Sequence, residues 1–65
     1  MGTLANDYPI EQARCRELLQ AYQEIPTGWF GAKQIEATLK EADEAAASGD
    51  TAKMVLAFDR MKQCE

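Results

Sequence analysis

The chain has 65 residues, no histidine, and 11 acidic against 7 basic side chains, which gives a formal net charge of −4. This charge argues against broad binding to nucleic acids or membrane surfaces, because both depend on clustered Lys and Arg that meet phosphate. No apolar stretch approaches the roughly 20 residues that span a bilayer. A core this small seldom supplies more than about 3 to 5 kcal/mol, so we expect a single domain over residues 1–65 that needs further stabilisation.

Metals, disulfides and partner subunits are the usual ways in which small proteins gain that stability. A zinc site would lack ligands, because there is no histidine and Cys15 and Cys64 lie far apart in the sequence. We therefore expect no metal and no cofactor. The start "MGTLANDYPI" lacks the basic flank and the apolar run of a secretory signal, which favours a cytoplasmic protein with reduced thiols. Association into a homo-oligomer is the remaining way to stabilise the chain.

The first helix is predicted at about residues 8–25. Asp7 is the expected N-cap, and Pro9 falls in the first turn, where its missing N–H costs little. Pro26 is expected to end the helix. Spacings of three and four predict an apolar stripe on one face of this helix. The stripe consists of Cys15, Leu18, Leu19, Tyr22 and Ile25.

The second helix is predicted at about residues 29–48, followed by a clear boundary. Gly49 is expected to take the left-handed conformation that closes a helix, and Asp50 to cap the next one. The same periodicity predicts an inward-facing stripe on the second helix. The stripe consists of Ala32, Ile35, Leu39, Ala42 and Ala46.

The third helix is predicted at about residues 51–64 and carries five apolar residues in a row, "MVLAF". At about 100° per residue, this run goes right round the helix. The inward-facing residues are expected to be Met54, Ala57, Phe58 and Met61. Met54, Val55 and Leu56 are then the expected interface of a homo-oligomer, most simply a dimer. The alternative is a slightly apolar surface on a small protein.

No segment alternates with period two, so the predicted fold class is all-α: a three-helix antiparallel mini-bundle, a helical hairpin plus a third helix, completed by oligomerisation. Short connections make the first and third helices roughly parallel. Cys15 then lies in the middle of one helix and Cys64 at the far end of the other, so we expect Cys64 to be exposed and no bridge to form within a chain.

The candidate binding site is the connection "PTGWFGAK", where two large aromatic residues stand beside glycines. In this topology the connection lies at the same end as the last turns of the third helix. Aromatic faces, basic side chains and a helix N-terminus are what a nucleobase with its phosphate would need. The predicted site consists of Trp29, Phe30, Gly31, Lys33, Arg60 and Lys62.

Alternatively, Trp29 and Phe30 only plug the open end of the bundle, and the glycines only permit the turn. The inward stripe of the second helix cannot include both aromatics, so at least one of them is expected to be partly exposed. Catalysis is not expected: without histidine there is no ready general base near neutral pH, and Cys15 has no visible activating partner.

At "DYPIEQARCRELL", "FGAKQIEATL", "EADEAAASGD" and "AFDRMKQCE" the chain resembles a group of uncharacterised short helical accessory proteins encoded by phages and prophages of proteobacteria. The resemblance implies a place in the cytoplasm of a bacterial host cell. It also implies action by stoichiometric binding, as in proteins that counter host defences.

Three functions remain open at this point. The first is sequestration of a small anionic, nucleotide-like signal, which requires an exposed aromatic beside Lys33 and a pocket. The second is an inhibitor or adaptor that masks a host protein with an acidic surface, and the third is a small structural phage protein. The acidic surface would consist of Glu36, Glu41, Asp43 and Glu44.

Overall fold

The computed structural model describes residues 3–64 and folds them into three α-helices. Helix α1 spans Leu4–Gln23, α2 spans Trp29–Ser48 and α3 spans Thr51–Gln63. Within these described residues there is no strand. The all-α fold class and the three packed helices are therefore confirmed.

The start of α1 differs from the sequence-based prediction. Thr3, rather than Asp7, is the N-cap: its hydroxyl oxygen accepts from the N–H of Asn6 at 3.2 Å, and its carbonyl accepts from Asp7 at 2.8 Å. Pro9 consequently lies inside the helix instead of in its first turn. Proline has no N–H for the carbonyl of Ala5, but both residues are exposed, so water can satisfy that oxygen.

The boundary between α2 and α3 follows the prediction. Gly49 has the left-handed φ of 72° that a side chain rarely adopts. The Asp50 carboxylate caps α3 by accepting from the N–H groups of Ala52 at 3.0 Å and Lys53 at 3.3 Å. Local residue chemistry therefore ends one helix and begins the next within two residues.

Helices α1 and α2 form an antiparallel hairpin. Tyr8, near the start of α1, donates its hydroxyl to the carbonyl of Ala42 near the end of α2. At the other end of the hairpin, the Tyr22 ring lies against Gly31. These two contacts pair opposite ends of the helices, as the short connection between them requires.

Helix α3 runs roughly parallel to α1 but is shorter than either helix of the hairpin. Phe58 stacks against Tyr8, and the carbonyl of Cys64 accepts from Arg14 at 2.8 Å. Arg14 lies about two turns before the end of α1. The connection between α1 and α2 therefore lies beyond the end of α3.

One hydrophobic cluster joins the three helices. Its buried members are Tyr8, Cys15, Ile35, Leu39, Ala42, Ala45, Ala57 and Met61. Ala45 takes the place expected for Ala46, which is exposed. The inward stripe of α2 thus advances by three residues rather than four at its end. Small alanine side chains on α2 and α3 permit close approach of the backbones but bury little apolar area each.

Tyr8 is the largest aromatic side chain of this cluster. Its hydroxyl group donates to the Ala42 carbonyl oxygen at 2.7 Å, and its ring lies 6.2 Å from that of Phe58. Burial raises the pKa of the Tyr8 hydroxyl above its ordinary value of 10.0, and the negative charge of Asp43 raises it further. The neutral hydroxyl group is therefore the form that the fold stabilises.

We predict that Tyr8 makes stability pH-dependent in alkaline solution. The folded-state pKa exceeds the unfolded one, so the contribution of Tyr8 is fully present below about pH 10 and is lost as the pH rises through the folded-state pKa. Thermal unfolding of the wild type should therefore shift to lower temperature between about pH 9 and about pH 11 more than that of Tyr8→Phe.

At neutral pH the same Tyr8→Phe variant should be less stable by about 1 kcal/mol, because it loses one buried hydrogen bond. All other residues are the same in the two proteins, so the difference between the two profiles isolates Tyr8. Parallel profiles for the two proteins would contradict the prediction.

Candidate functional site

The glycines of the α1–α2 connection make room for Tyr22. A Cβ atom built on Gly31 would lie 2.4 Å from Cε2 of the Tyr22 ring, and one built on Gly28 would lie 2.4 Å from the Tyr22 carbonyl oxygen. Neither glycine has a positive φ. Space, rather than backbone conformation, is therefore the reason for glycine at both positions.

The connection is closed by backbone hydrogen bonds. The N–H of Ile25 donates to the Tyr22 carbonyl at 3.2 Å, and the N–H of Gly28 donates to the Ile25 carbonyl at 2.9 Å. The N–H of Ala32 then donates to the Gly28 carbonyl at 2.9 Å, which begins α2. The turn thus winds tightly around Tyr22 and holds the residues that follow in a defined position.

Both aromatic residues of the connection point outward. Trp29 is 65% exposed and Phe30 is 62% exposed, and their rings meet edge-on with centroids 5.9 Å apart. Ile25, expected on the inward stripe of α1, is 50% exposed because α1 ends before it. We call Ile25, Trp29 and Phe30 the hairpin tip. The expectation of at least one exposed aromatic is confirmed, and neither ring plugs the bundle.

Lys33 lies beside the hairpin tip, one helical turn after Trp29. The two side chains line a shallow, open hollow together with Ile25 and Pro26. Glu36, one turn further along α2, lines the same hollow. The positive charge of Lys33 therefore has a carboxylate nearby, and the hollow is open to solvent.

Arg60 and Lys62 do not join Trp29, contrary to the sequence-based prediction. The Arg60 guanidinium donates to the carboxylate of Glu41, far along α2 from its first residue. The Lys62 ammonium lies 5.3 Å from the centre of the Phe58 ring, on α3 itself. Because α3 ends before the hairpin tip, both basic side chains find partners elsewhere.

Gly31 shares a groove with Arg60 between α2 and α3, but its closest contact is the Tyr22 ring. Of the six predicted site residues, the structure therefore brings together Trp29, Phe30 and Lys33 only.

Ile25 was missed as a member of the tip. Its position directly before Pro26, where a helix cannot continue unchanged, was the available signal.

The acidic residues of α2 do not form a continuous acidic face. Glu41 is paired with Arg60, and Asp43 accepts from Arg16 with both carboxylate oxygens at 3.0 Å. Glu36 and Glu44 line a groove whose other members include Arg16 and Lys40. This surface therefore carries mixed charge.

A second exposed apolar surface lies on α3. Val55 is 52% exposed and Leu56 is 67% exposed, whereas Met54 is half-buried and packs against the core. Leu56 lines a groove with Ala45 and Ser48 of α2. We call Val55 and Leu56 the α3 patch. It faces away from the core, as the five-residue apolar run predicts.

Residues 3–64 contain no group of three or more histidine, cysteine, aspartate or glutamate residues that could hold a metal ion. None of the helices described for this stretch is long and apolar enough to cross a bilayer. The candidate binding surfaces are the hairpin tip and the α3 patch, where exposed large apolar side chains lie close together in the chain.

Comparison of the chain with protein-family models, with curated proteins and with solved structures finds no match. The resemblance to short phage proteins therefore stays a prediction from the sequence.

We predict that Gly31→Ala destabilises the protein, although alanine ordinarily favours a helix by about 1 kcal/mol over glycine. The added methyl group would overlap the Tyr22 ring, and such overpacking typically costs about 1 to 3 kcal/mol. Urea denaturation of the wild type and of the variant gives the change in the free energy of unfolding.

A Tyr22→Ala background provides the control, since alanine removes both the Cδ2 and the Cε2 carbons that the methyl group would meet. In that background Gly31→Ala should be neutral or stabilising. An equal effect of Gly31→Ala in both backgrounds would show that the Tyr22 ring does not set the requirement for glycine.

Proposed function

We propose that this chain is a non-enzymatic binding protein that acts by stoichiometric association with a host protein, with the hairpin tip as its anchor. The setting we propose is the cytoplasm of a bacterial host, where a short phage-encoded protein of this kind counters a defence system. The observation that supports the proposal is the joint exposure of Ile25, Trp29 and Phe30 at the projecting end of the hairpin.

The tip has the composition of a protein-binding anchor. Large aromatic side chains, tryptophan above all, dominate the energetics of protein interfaces when they enter a pocket on the partner. Trp29 and Phe30 contact each other edge-on and are carried by the first turn of a helix, so little freedom is lost when they bind. A partner with an apolar cleft and a basic rim would complement the tip of this acidic chain.

The shape of the tip favours a protein over a small ligand. Ligand pockets are concave and bury most of the ligand surface. The hollow beside Trp29 is open, and Lys33 is accompanied there by Glu36. Since Arg60 and Lys62 are engaged elsewhere, a phosphate group at the tip would meet one basic side chain instead of three.

A small anionic ligand is the second candidate, and one observation favours it. Trp29 and Lys33 line the same hollow, so a base stacked on the indole would place its phosphate within reach of the ammonium group. The two candidates therefore share Trp29 and differ in the role of Lys33.

We further propose that the chain is a homodimer held by the α3 patch. The patch lies on α3, whereas the tip lies beyond the end of this helix, so the two surfaces do not compete. A dimer would bury Val55 and Leu56, add apolar area to a thin core, and present two hairpin tips to a partner.

We predict that Trp29→Ala weakens partner binding by about 2 kcal/mol or more, roughly 30-fold, without unfolding the protein. Ile10→Ala is the matched control, because Ile10 is 63% exposed on α1 but lies outside the tip. Proteins captured from bacterial lysate should be retained by the wild type and Ile10→Ala and lost with Trp29→Ala. Calorimetry on the purified pair then gives the affinities.

Trp29 is the single tryptophan of the chain, so its fluorescence reports on the tip directly. Binding of a protein should shift its emission to shorter wavelength, and thermal-shift and fluorescence titrations with cyclic and linear nucleotides should show no response. A nucleotide response lost in Lys33→Glu would decide for the small anion. Unfolding of Trp29→Ala at a cost of about 3 to 5 kcal/mol would contradict both candidates, because that is the cost of truncating a buried aromatic.

We predict that Leu56→Glu converts the dimer to monomer and lowers its melting temperature, since a charge in an apolar interface is costly and dissociation removes linked stability. Sedimentation at micromolar concentration measures the change in mass. Ile10→Glu, an equally exposed position on α1, should leave the mass unchanged. A wild-type chain that sediments as a monomer at every concentration would contradict the prediction.

A further inference from the structure

The two cysteines meet in the fold, although the sequence-based prediction placed them apart. Cys15 lies in the middle of α1 and is fully buried. Cys64 follows the last residue of α3 as its C-cap and packs half-buried against the same hydrophobic cluster, instead of being exposed. Both thiols are free.

One oxygen atom brings the two residues together. The carbonyl oxygen of Met61 lies 3.5 Å from the Cys15 sulfur and accepts from the backbone N–H of Cys64 at 3.2 Å. The Cys64 thiol, in turn, donates to the carbonyl oxygen of Arg60 at 3.6 Å, one turn back along α3. Burial, first, and then the neighbouring Cys64 raise the pKa of the Cys15 thiol, which favours its protonated form near neutral pH.

Arg14 holds the end of α3 at this position. Its guanidinium donates to the carbonyl oxygens of Met61 at 2.5 Å and Cys64 at 2.8 Å. The same group lies 4.0 Å from the Cys15 sulfur, where its positive charge stabilises a thiolate. The absence of a bridge agrees with the prediction, but the helical rise placed the two residues too far apart, because the short α3 ends beside the middle of α1 rather than beside its end.

We propose that Cys15 and Cys64 are an intrachain oxidation site, where a low-molecular-weight disulfide such as oxidised glutathione converts the two thiols into a disulfide that cross-links α3 to α1. The site is additional to the hairpin tip and does not depend on the function proposed for it.

Two thiol–disulfide exchange steps balance the reaction. The more accessible Cys64 thiolate attacks one sulfur of the small disulfide, which breaks its S–S bond and releases one thiolate. The Cys15 thiolate, formed beside Arg14, then attacks the Cys64 sulfur and releases the second small thiolate. Both protein thiol protons pass to the two released thiolates, and two electrons pass from the protein to the small disulfide.

The cross-link would close a loop of about 50 residues, and disulfides that close long loops restrict the unfolded chain strongly. It would also tie the end of α3 to the hairpin independently of Arg14. We therefore expect the oxidised protein to melt at a temperature higher by about 10 °C or more.

The test is oxidation of the full chain by oxidised glutathione, with the protein at low micromolar concentration. Alkylation and intact mass measurement follow. The expected product is a monomer that has lost two hydrogen atoms, takes up no alkyl group, and melts at the higher temperature until a reductant is added. Cys64→Ser should show neither the mass change nor the shift in melting temperature.

A relocated thiol provides the matched control. In the double variant Gln63→Cys with Cys64→Ser, the thiol moves to an exposed position whose side chain contacts Asp59 in the wild type. This variant should stop at the mixed disulfide with glutathione. Three results would overturn the proposal: a wild type that stops at the mixed disulfide, a wild type that yields only disulfide-linked dimers, or a relocated thiol that bridges as fast as Cys64.

Discussion

Arg14, together with the buried Met61 side chain, holds the end of the third helix against the middle of the first, and the exposed tip and the meeting of the cysteines follow from that position. Its guanidinium is held by the Glu11 carboxylate at 2.9 Å and donates to two carbonyl oxygens at the end of α3. Those carbonyls are at the negative end of the helix dipole, and the Met61 carbonyl also accepts from the backbone N–H of Cys64 at 3.2 Å. As a half-exposed ion pair, Arg14 with Glu11 adds little stability by itself. Its larger effect is geometric, because it aligns the end of α3 with the middle of α1.

This alignment explains both the exposed tip and the meeting of the two cysteines. A third helix of the same length as α1 would cover the α1–α2 connection, and its basic end would reach Trp29. The observed α3 is 13 residues long against 20 for each helix of the hairpin, so it ends early and leaves the tip uncovered. The residues of α3 that were expected at the tip, Arg60 and Lys62, instead meet Glu41 and the Phe58 ring.

Local chemistry predicted most of the secondary structure, and the relative shift of the helices explains what it missed. The end of α2 and the start of α3 follow from Gly49 and Asp50 alone. The predicted start of α1 was wrong because Thr3 and Asp7 are both suitable N-caps. Only the structure shows that Thr3 is the one used. Periodicity assigns a face to each residue but contains no information on how far one helix slides along another. The Arg60 and Lys62 contacts and the meeting of the cysteines depend on that shift.

The two proposed activities belong to different parts of the chain and should be independent. The tip is shaped by Tyr22 and by the close approach of Gly28 and Gly31, all of which belong to the hairpin. Oxidation would join α3 to α1 at Cys15, about two turns before Tyr22 along the same helix. A disulfide there would restrain the end of α3, which Arg14 and the buried Met61 side chain hold in the reduced chain. Trp29 lies outside the groove that Cys64 lines with Tyr22 and Gly31. An oxidised chain should therefore bind through Trp29 as the reduced chain does, while melting at a higher temperature.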